Sequence, residues 1–159
     1  TLRSRGLGDV YKRQVFKLLS EQRGEILVES RLHGDNRIAA PKAGLYRDPD
    51  YSFERVSHCA SLSQNETGGG HTLYLALLNK DASRPVTVHL DISGIAAPEA
   101  EIHEVRAASF LTENTIAQPD AVKLSRPRKE RITDDAGRMS HQLMPNTLTV
   151  LRLHVSEDK

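Results

Sequence analysis

A chain of 159 residues has the length of one domain, and its 38% hydrophobic and 27% charged residues are typical of a globular protein. No apolar run approaches the roughly 18 residues of a membrane-spanning helix, and the formal charge of +1 gives no indication of nucleic acid or a membrane surface as a partner. The single cysteine, Cys59, excludes a disulfide framework and a multi-cysteine zinc site; it also favours a reducing compartment, so a cytoplasmic location is expected.

The first fourteen residues, TLRSRGLGDVYKRQ, are not expected to belong to the fold. They contain four of the 22 basic residues and one of the 21 acidic ones, so the rest of the chain is mildly acidic. They lack the apolar core of a signal peptide. Residues 4–14, SRGLGDVYKRQ, resemble the in-frame translation of a transposon-based sequencing adapter. We therefore expect residues 1–14 to be an unpacked, adapter-derived artefact attached to a metagenomic fragment.

A short helix is predicted next, over residues 15–22. Its apolar side chains recur at helical spacing and are Val15, Phe16, Leu18 and Leu19. Gly24 follows the last of them and is a typical helix stop. Two turns of helix are marginal in water, so this segment is expected to dock on a larger body. Residues 25–32 are a strand candidate, and residues 33–51 form a long polar connection.

The clearest strand signal lies in two neighbouring segments, residues 71–78 and 85–92, whose apolar side chains alternate. The residues between them are rich in Asn, Asp and Ser, which favour turns. This pattern predicts a hairpin over residues 71–92 at the core of the fold, with Val88 inside and His89 outside.

Other strands are predicted at residues 56–62, 100–107, 138–143 and 147–155. The segment 109–133 has no clear period and is expected to be functional or packed as an irregular layer. The last strand is apolar on both faces, so either both faces are covered or a bulge switches the register. Together the segments predict an all-β fold, a β-sandwich of jelly-roll or Greek-key type, with a short N-terminal helix.

The residues that could carry chemistry do not form a recognisable site. The seven histidines never show the short spacings of a metal site; they are His33, His58, His71, His89, His103, His141 and His154. Cys59 falls in a predicted strand, which favours a small buried apolar role over that of a nucleophile.

Paired carboxylates, as glycosidases use, have weak candidates here. Glu99, Glu101, Glu104 and the Asp134-Asp135 pair do not lie in apolar runs, so a solvated strand edge and a turn are the preferred interpretations. Three short motifs are equally unspecific: basic residues 126–131, the glycosylation tripeptide at residues 65–67, and the triglycine at residues 68–70. No catalytic, cofactor-binding or metal-binding residue is therefore predicted, and no cofactor.

One passage adds a resemblance. Residues 114–123, NTIAQPDAVK, are similar to the NTF-x-x-P-x-x-V-K segment near the end of family-51 glycoside hydrolases, the α-L-arabinofuranosidases. Ile116 stands where that family usually has Phe. Three further passages resemble parts of these enzymes, and they occur in the same order along the chain. VFKLLSEQRG resembles the closing barrel helix, YLALLNKDASRPVTVHLDI resembles the central hairpin of the sandwich, and LMPNTLTVLRL resembles the final strand.

The resemblance implies a parent enzyme with a (β/α)8 barrel, which hydrolyses terminal arabinofuranosyl groups with retention, followed by a C-terminal β-sandwich. Residues 15–24 would be a remnant of the last barrel helix and residues 25–159 the sandwich. The two catalytic glutamates would lie upstream of residue 15, so the fragment alone is expected to be inactive.

The resemblance also implies a partner, the missing barrel, and a homo-oligomeric parent whose sandwich takes one strand from the N-terminal end of the chain. The alternative is a stand-alone carbohydrate-binding module. The absence of Trp and an aromatic content of 4% disfavour that alternative, because such modules often stack sugars on aromatic rings. A small complete enzyme lacks a credible set of catalytic residues.

Overall fold

The computed structural model describes residues 8–39, 52–64, 70–92, 99–109, 111–133 and 138–155. Over these ranges the chain forms one helix and a series of short antiparallel strands. In chain order they are α1 (Gly8–Glu21), β1 (Ile26–Val28), β2 (Arg37–Ala39), β3 (Ser52–Glu54), β4 (Val56–Gln64), β5 (His71–Asn79), β6 (Val86–Leu90), β7 (Glu99–Arg106), β8 (Lys123–Leu124), β9 (Arg128–Arg131), β10 (Met139–Leu143) and β11 (Thr147–Val155).

A seven-stranded sheet, here called the main sheet, organises the fold. Its order is β1-β4-β5-β11-β7-β8, and β9 pairs with β7 beside β8. The long strands β4, β5 and β11 pair in register over nine residues, and their alternate side chains point to opposite faces of the sheet. β2 and β3 form a separate two-stranded ribbon.

The second layer is a two-stranded sheet of β6 and β10, here called the small sheet, and it packs on one face of the main sheet. Apolar side chains from both layers form the larger core, with Ile102, Leu143, Leu151 and Leu153 fully buried. The arrangement confirms the predicted all-β sandwich with an N-terminal helix.

The opposite face of the main sheet is covered by α1 and by the irregular segment 111–122. Leu18 of the helix packs there against Val105, Val122 and Val150 in a second, smaller core. The last strand is therefore apolar on both sides because both sides are covered: Leu151 faces the small sheet, and Val150 faces the helix layer.

The predicted hairpin over residues 71–92 is wrong in its pairing. β5 pairs with β4 and β11 in the main sheet, whereas β6 pairs with β10 in the small sheet. The physical reason is Asn79, whose buried amide donates hydrogen bonds to the carbonyls of Arg84, Leu143 and Met144. These bonds tie the β5–β6 and β10–β11 connections together where both cross between the sheets.

The faces predicted for this segment are confirmed, because either pairing buries the same alternate side chains. Val88 lies in the core and His89 is exposed.

The helix begins at Gly8, seven residues before its predicted start. Residues 8–14 are therefore helical, although an unpacked segment is predicted there. Once the turn that carries Leu18 packs on the sandwich, the helix can extend from it toward the N-terminus. Residues 1–7 lie outside the described ranges, and the adapter origin of residues 1–14 stays a prediction.

Gly24 has a different role from the predicted helix stop. A Cβ at this position would overlap the carbonyl group of Leu62, so glycine allows the chain to cross β4 closely.

Candidate functional site

The histidines are distributed over the whole sandwich. Within the described ranges no group of three or more His, Cys, Asp or Glu side chains is arranged to hold a metal ion. His89 is exposed at the surface, as predicted, and so is His154, whereas His103 and His141 are buried. In the same ranges no helix is long and apolar enough to cross a membrane.

Cys59 lies in strand β4 but its side chain is exposed, so the predicted buried role is wrong. On a strand, successive side chains point to opposite faces. Val56 and Ala60 occupy the inner face of β4 and are buried, which leaves Cys59 on the outer face near the edge of the main sheet.

Two candidate carboxylates on β7, Glu101 and Glu104, do not face each other. Glu101 and Glu104 are three residues apart on one strand and therefore lie on opposite faces of the sheet. Glu101 lies 2.9 Å from His103 Nε2 and 3.7 Å from Arg152 Nη1, on the helix side. Glu104 points into the sandwich, and Glu99 is exposed. Asp134 and Asp135 lie outside the described residues.

The expectation that Glu104 lies at a solvated edge is wrong, since it is only 3% exposed. Its carboxylate accepts hydrogen bonds from Arg128 (2.8 Å), Arg106 (3.3 Å) and Thr149 (3.4 Å). Burial acts to raise the pKa of Glu104, but the hydrogen bond and positive charge of Arg128, together with Arg106, outweigh it and hold the pKa below 4.5. No local sequence pattern indicates that this carboxylate is buried and paired, because its main partner lies 24 residues away on another strand.

The basic stretch 126–131 lies at the surface. Part of it forms β9, and all four residues of that strand are exposed. Arg128 has the additional function of binding Glu104. The tripeptide at residues 65–67 and two of the three glycines at residues 68–70 lie outside the described ranges.

A largely apolar groove of about 350 Å³ lies between the two sheets. Its floor includes Leu73, Leu75 and Leu77 of β5, and its far wall includes Val88 and Leu90 of β6. In the described part of the chain, the small sheet contains two strands and the main sheet seven, and β6 pairs on one edge only. Among the described residues, no strand pairs with the other edge of β6, which lies beside the groove; residues 28–33 also line the groove.

Further apolar side chains are exposed on α1 and β1. Phe16 on the helix is 72% exposed, although its neighbour Leu18 is fully buried. On the edge strand, Leu27 is 77% exposed and Ile26 is also exposed. Exposed apolar side chains on adjacent elements are typical of an interaction surface.

The motif NTIAQPDAVK has a structural role in the irregular segment. The Asn114 amide donates to the carbonyl of Val122 (2.9 Å), and the Val122 N–H donates to Asn114 Oδ1 (2.6 Å). Thr115 and Gln118 close a tight turn between them through reciprocal backbone hydrogen bonds. Ile116, at the tip of this turn, is 87% exposed. Asn114 therefore fixes the loop to the second core.

No protein-family model matches the chain, and no curated protein matches it in sequence. Solved structures do match. The thermostable GH51 α-L-arabinofuranosidase from Thermotoga petrophila RKU-1 is 19% identical with a TM-score of 0.67, over 88% of this chain and 28% of that one. The α-L-arabinofuranosidase from Thermotoga maritima is 19% identical with a TM-score of 0.66, over 89% and 28%. The GH51 arabinofuranosidase from Xanthomonas axonopodis pv. citri is 27% identical with a TM-score of 0.52, over 68% and 20%.

The chain spans at most about 28% of the length of these three enzymes, so each of them contains a large part that this chain does not match. The match over most of this chain confirms the resemblance that its sequence motifs indicated. The chain has the fold of one domain of the GH51 α-L-arabinofuranosidases.

Proposed function

We propose that this chain is a non-catalytic β-sandwich domain of an α-L-arabinofuranosidase, in which it supports a catalytic barrel. The whole enzyme releases terminal arabinofuranosyl groups from arabinose-containing polysaccharides or oligosaccharides. The proposal is supported by the fold shared with GH51 enzymes and by the short part of those enzymes that it matches. A homo-oligomeric parent, a cytoplasmic location and a metagenomic source stay predictions.

The observation that carries the proposal is the open edge of β6 beside the apolar groove. An extended segment placed there would pair with β6 and cover the inner faces of β4 and β5, where His58, Ala60 and Leu75 line the groove. β-Strand addition of this kind uses main-chain hydrogen bonds for affinity and alternate side chains for fit. A strand from elsewhere in the enzyme, as the family resemblance implies, would complete the small sheet.

The exposed face of α1 supports the same proposal. A helix is stabilised mainly by packing of its apolar side chains, and here Leu18 packs on the sandwich while Phe16 and Leu19 are exposed on other sides of the helix. If the barrel covered these side chains, their apolar surface would be removed from water, which stabilises the contact by roughly 25 cal/mol for each Å² buried.

The positions of two candidate carboxylates support the non-catalytic role. Retaining glycosidases need two carboxyl groups about 5 Å apart on either side of the scissile bond. Glu101 and Glu104 lie on opposite faces of the sheet, and Glu104 is bound by Arg128 and Arg106. This arrangement does not favour a common substrate between the two carboxylates.

The proposal is tested with the purified 159-residue chain, an aryl arabinofuranoside assay and light scattering. We expect no turnover and concentration-dependent association, because the groove and the helix face are both uncovered. The double variant Phe16→Ser, Leu19→Ser should associate less, whereas Ser20→Ala, at an exposed polar position of the same helix, should behave as the wild type. Turnover by the chain itself would overturn the proposal. A monodisperse monomer that binds arabinan would instead favour the carbohydrate-binding module.

A further inference from the structure

A second pocket, lined by the β2–β3 ribbon and by the connection from β5 to β6, is not used by the proposed function. Its volume is about 580 Å³, and it shares no lining residue with the groove beside β6. Ile38 and Phe53 contribute apolar surface from the ribbon, where they pair directly across the two strands and therefore lie on the same face. Three cationic side chains line the same space, here called the cationic pocket, and they are Arg55, Lys80 and Arg84.

Arg55 is held in place by the backbone on both of its sides. Its N–H donates to the carbonyl of Asn36 (2.6 Å), and its own carbonyl accepts from the N–H of Lys80 (2.8 Å). The Asn36 side chain in turn binds both backbone groups of Val56. The Arg55 Nε lies 3.5 Å from Asp81 Oδ2. The guanidinium group is therefore positioned before any ligand arrives, which lowers the entropic cost of binding one.

Asp81 is the single acidic residue that lines the cationic pocket. It is only 7% exposed, and its Oδ1 accepts hydrogen bonds from the backbone N–H groups of Ser83 and Arg84, both at 3.0 Å. Its other carboxylate oxygen faces Arg55. The negative charge of Asp81 is thus used within its own turn, and it balances one of the three cations.

Lys80 and Arg84 carry the charge that is not balanced. Within the described ranges neither side chain is paired with a carboxylate. Lys80 Nζ instead lies 5.7 Å from the centre of the Phe53 ring, a cation–π contact that leaves its donors available, and Arg84 is exposed. Three cations and one carboxylate give the pocket a net charge of +2. A concave surface of one sign attracts ions of the opposite sign.

We propose that the cationic pocket binds a small organic acid, whose carboxylate contacts Lys80 and Arg84 and whose apolar ring lies against Ile38 and Phe53. A guanidinium group matches the two oxygens of a carboxylate, and hydrogen bonds between charged groups are the stronger ones. The volume of the pocket falls within the roughly 300–1,000 Å³ that is usual for small-molecule sites.

Both halves of the ligand follow from the lining of the pocket. An inorganic anion would satisfy the cations but leave the apolar side chains of Ile38 and Phe53 in water. An uncharged apolar molecule would cover those side chains and remove water from Lys80 and Arg84 without pairing them, which is unfavourable. A carboxylate attached to an apolar ring meets both requirements.

The proposal is tested by ligand-observed NMR on the full 159-residue chain, with phenylacetate as the probe. This method follows the small molecule, so association of the chain does not prevent the measurement. Phenylacetate should bind at least about tenfold more tightly than phenylacetamide, which lacks the charge, and than acetate, which lacks the ring. Glucuronate, whose ring carries hydroxyl groups, should also bind more weakly than phenylacetate.

The double variant Lys80→Gln, Arg84→Gln should weaken phenylacetate binding at least about tenfold. The matched control Arg126→Gln, Lys129→Gln removes the same charge at exposed positions outside the pocket and should bind as the wild type does. Circular dichroism checks that each variant is folded. If the pocket double variant does not fold, Arg84→Gln alone, at an exposed position, should weaken binding about threefold or more.

The proposal is overturned if phenylacetate does not bind at about 10 mM, or if phenylacetamide or acetate binds equally well. Equal losses in the pocket variant and in its control would also overturn it, because only the overall charge would then matter. Tighter binding of glucuronate than of phenylacetate would overturn the apolar ring. These outcomes leave the groove and the exposed face of α1 untouched, so they are distinguishable from a failure of the proposed function.

Discussion

Glycine at position 24 shows how a single missing side chain positions two elements. The backbone N–H of Gly24 donates to Ser61 Oγ at 2.9 Å, and the chain passes against the carbonyl of Leu62. This close approach brings the end of α1 over β4 and so fixes where the helix leaves the second core. The role is steric, which differs from the helix-stop role that the sequence indicates.

Gly24→Ala should lower the free energy of unfolding by about 1–3 kcal/mol, because the methyl group would force the helix connection away from β4. Arg23→Ala, at the preceding exposed position, is the matched control and should change stability by less than about 0.5 kcal/mol. Urea unfolding of both variants measures the difference. Equal stabilities would show that the backbone can move aside without cost.

Glu104 should make stability depend on pH in the acid range. Its pKa in the folded protein lies below the ordinary 4.5, so the folded state binds this proton more weakly than the unfolded state. The stabilisation is therefore present above about pH 4.5 and is lost as the pH falls through the lower folded pKa.

Unfolding free energies measured across this range should fall less steeply with decreasing pH in Glu104→Gln than in the wild type. Glu99→Gln removes an exposed carboxylate from the same strand and should leave the slope unchanged. A wild-type slope retained in Glu104→Gln would mean that other groups cause the acid sensitivity.

Among the elements, the paired connections between the sheets decide the topology. Alternation along residues 85–92 is enough to predict that Val88 is buried and His89 exposed. It does not indicate the neighbouring strand, because a strand shows the same alternation in either sheet. The deciding bonds of Asn79 to Leu143 and Met144 join positions more than 60 residues apart, which no local pattern contains.

Only some of the candidate functional features could be predicted from the sequence. The apolar face of the helix was readable from its spacing, although its start at Gly8 was not. Burial of Glu104 was not predictable, since its main partner lies on another strand. The groove beside β6 is a property of strand order, so it appears only when the sheets are assembled.

Val88→Asp should lower the free energy of unfolding by roughly 3 kcal/mol or more, because it places an unpaired charge in the core between the sheets. His89→Asp, one residue later on the exposed face of β6, should be nearly neutral. Thermal unfolding of the two variants compares them directly. Equal losses would mean that the register of β6 is wrong.

At the scale of the whole molecule, we propose that the sandwich is one part of a larger enzyme. Its second layer is narrower than its first, its groove is apolar, and Phe16 and Leu27 are exposed. A shared fold over about 28% of the length of GH51 enzymes agrees with these features. The proposed function therefore requires a catalytic barrel that precedes the sandwich in the same polypeptide.

Sequencing the source DNA upstream of the codon for Val15, from an independent longer clone, tests this claim most directly. If the proposed function is correct, the longer clone has, in place of the adapter-like residues 4–14, an open reading frame of at least about 200 codons. This frame should encode a (β/α)8 barrel with two catalytic glutamates. A start codon close to Val15, with no barrel before it, would overturn the proposed function.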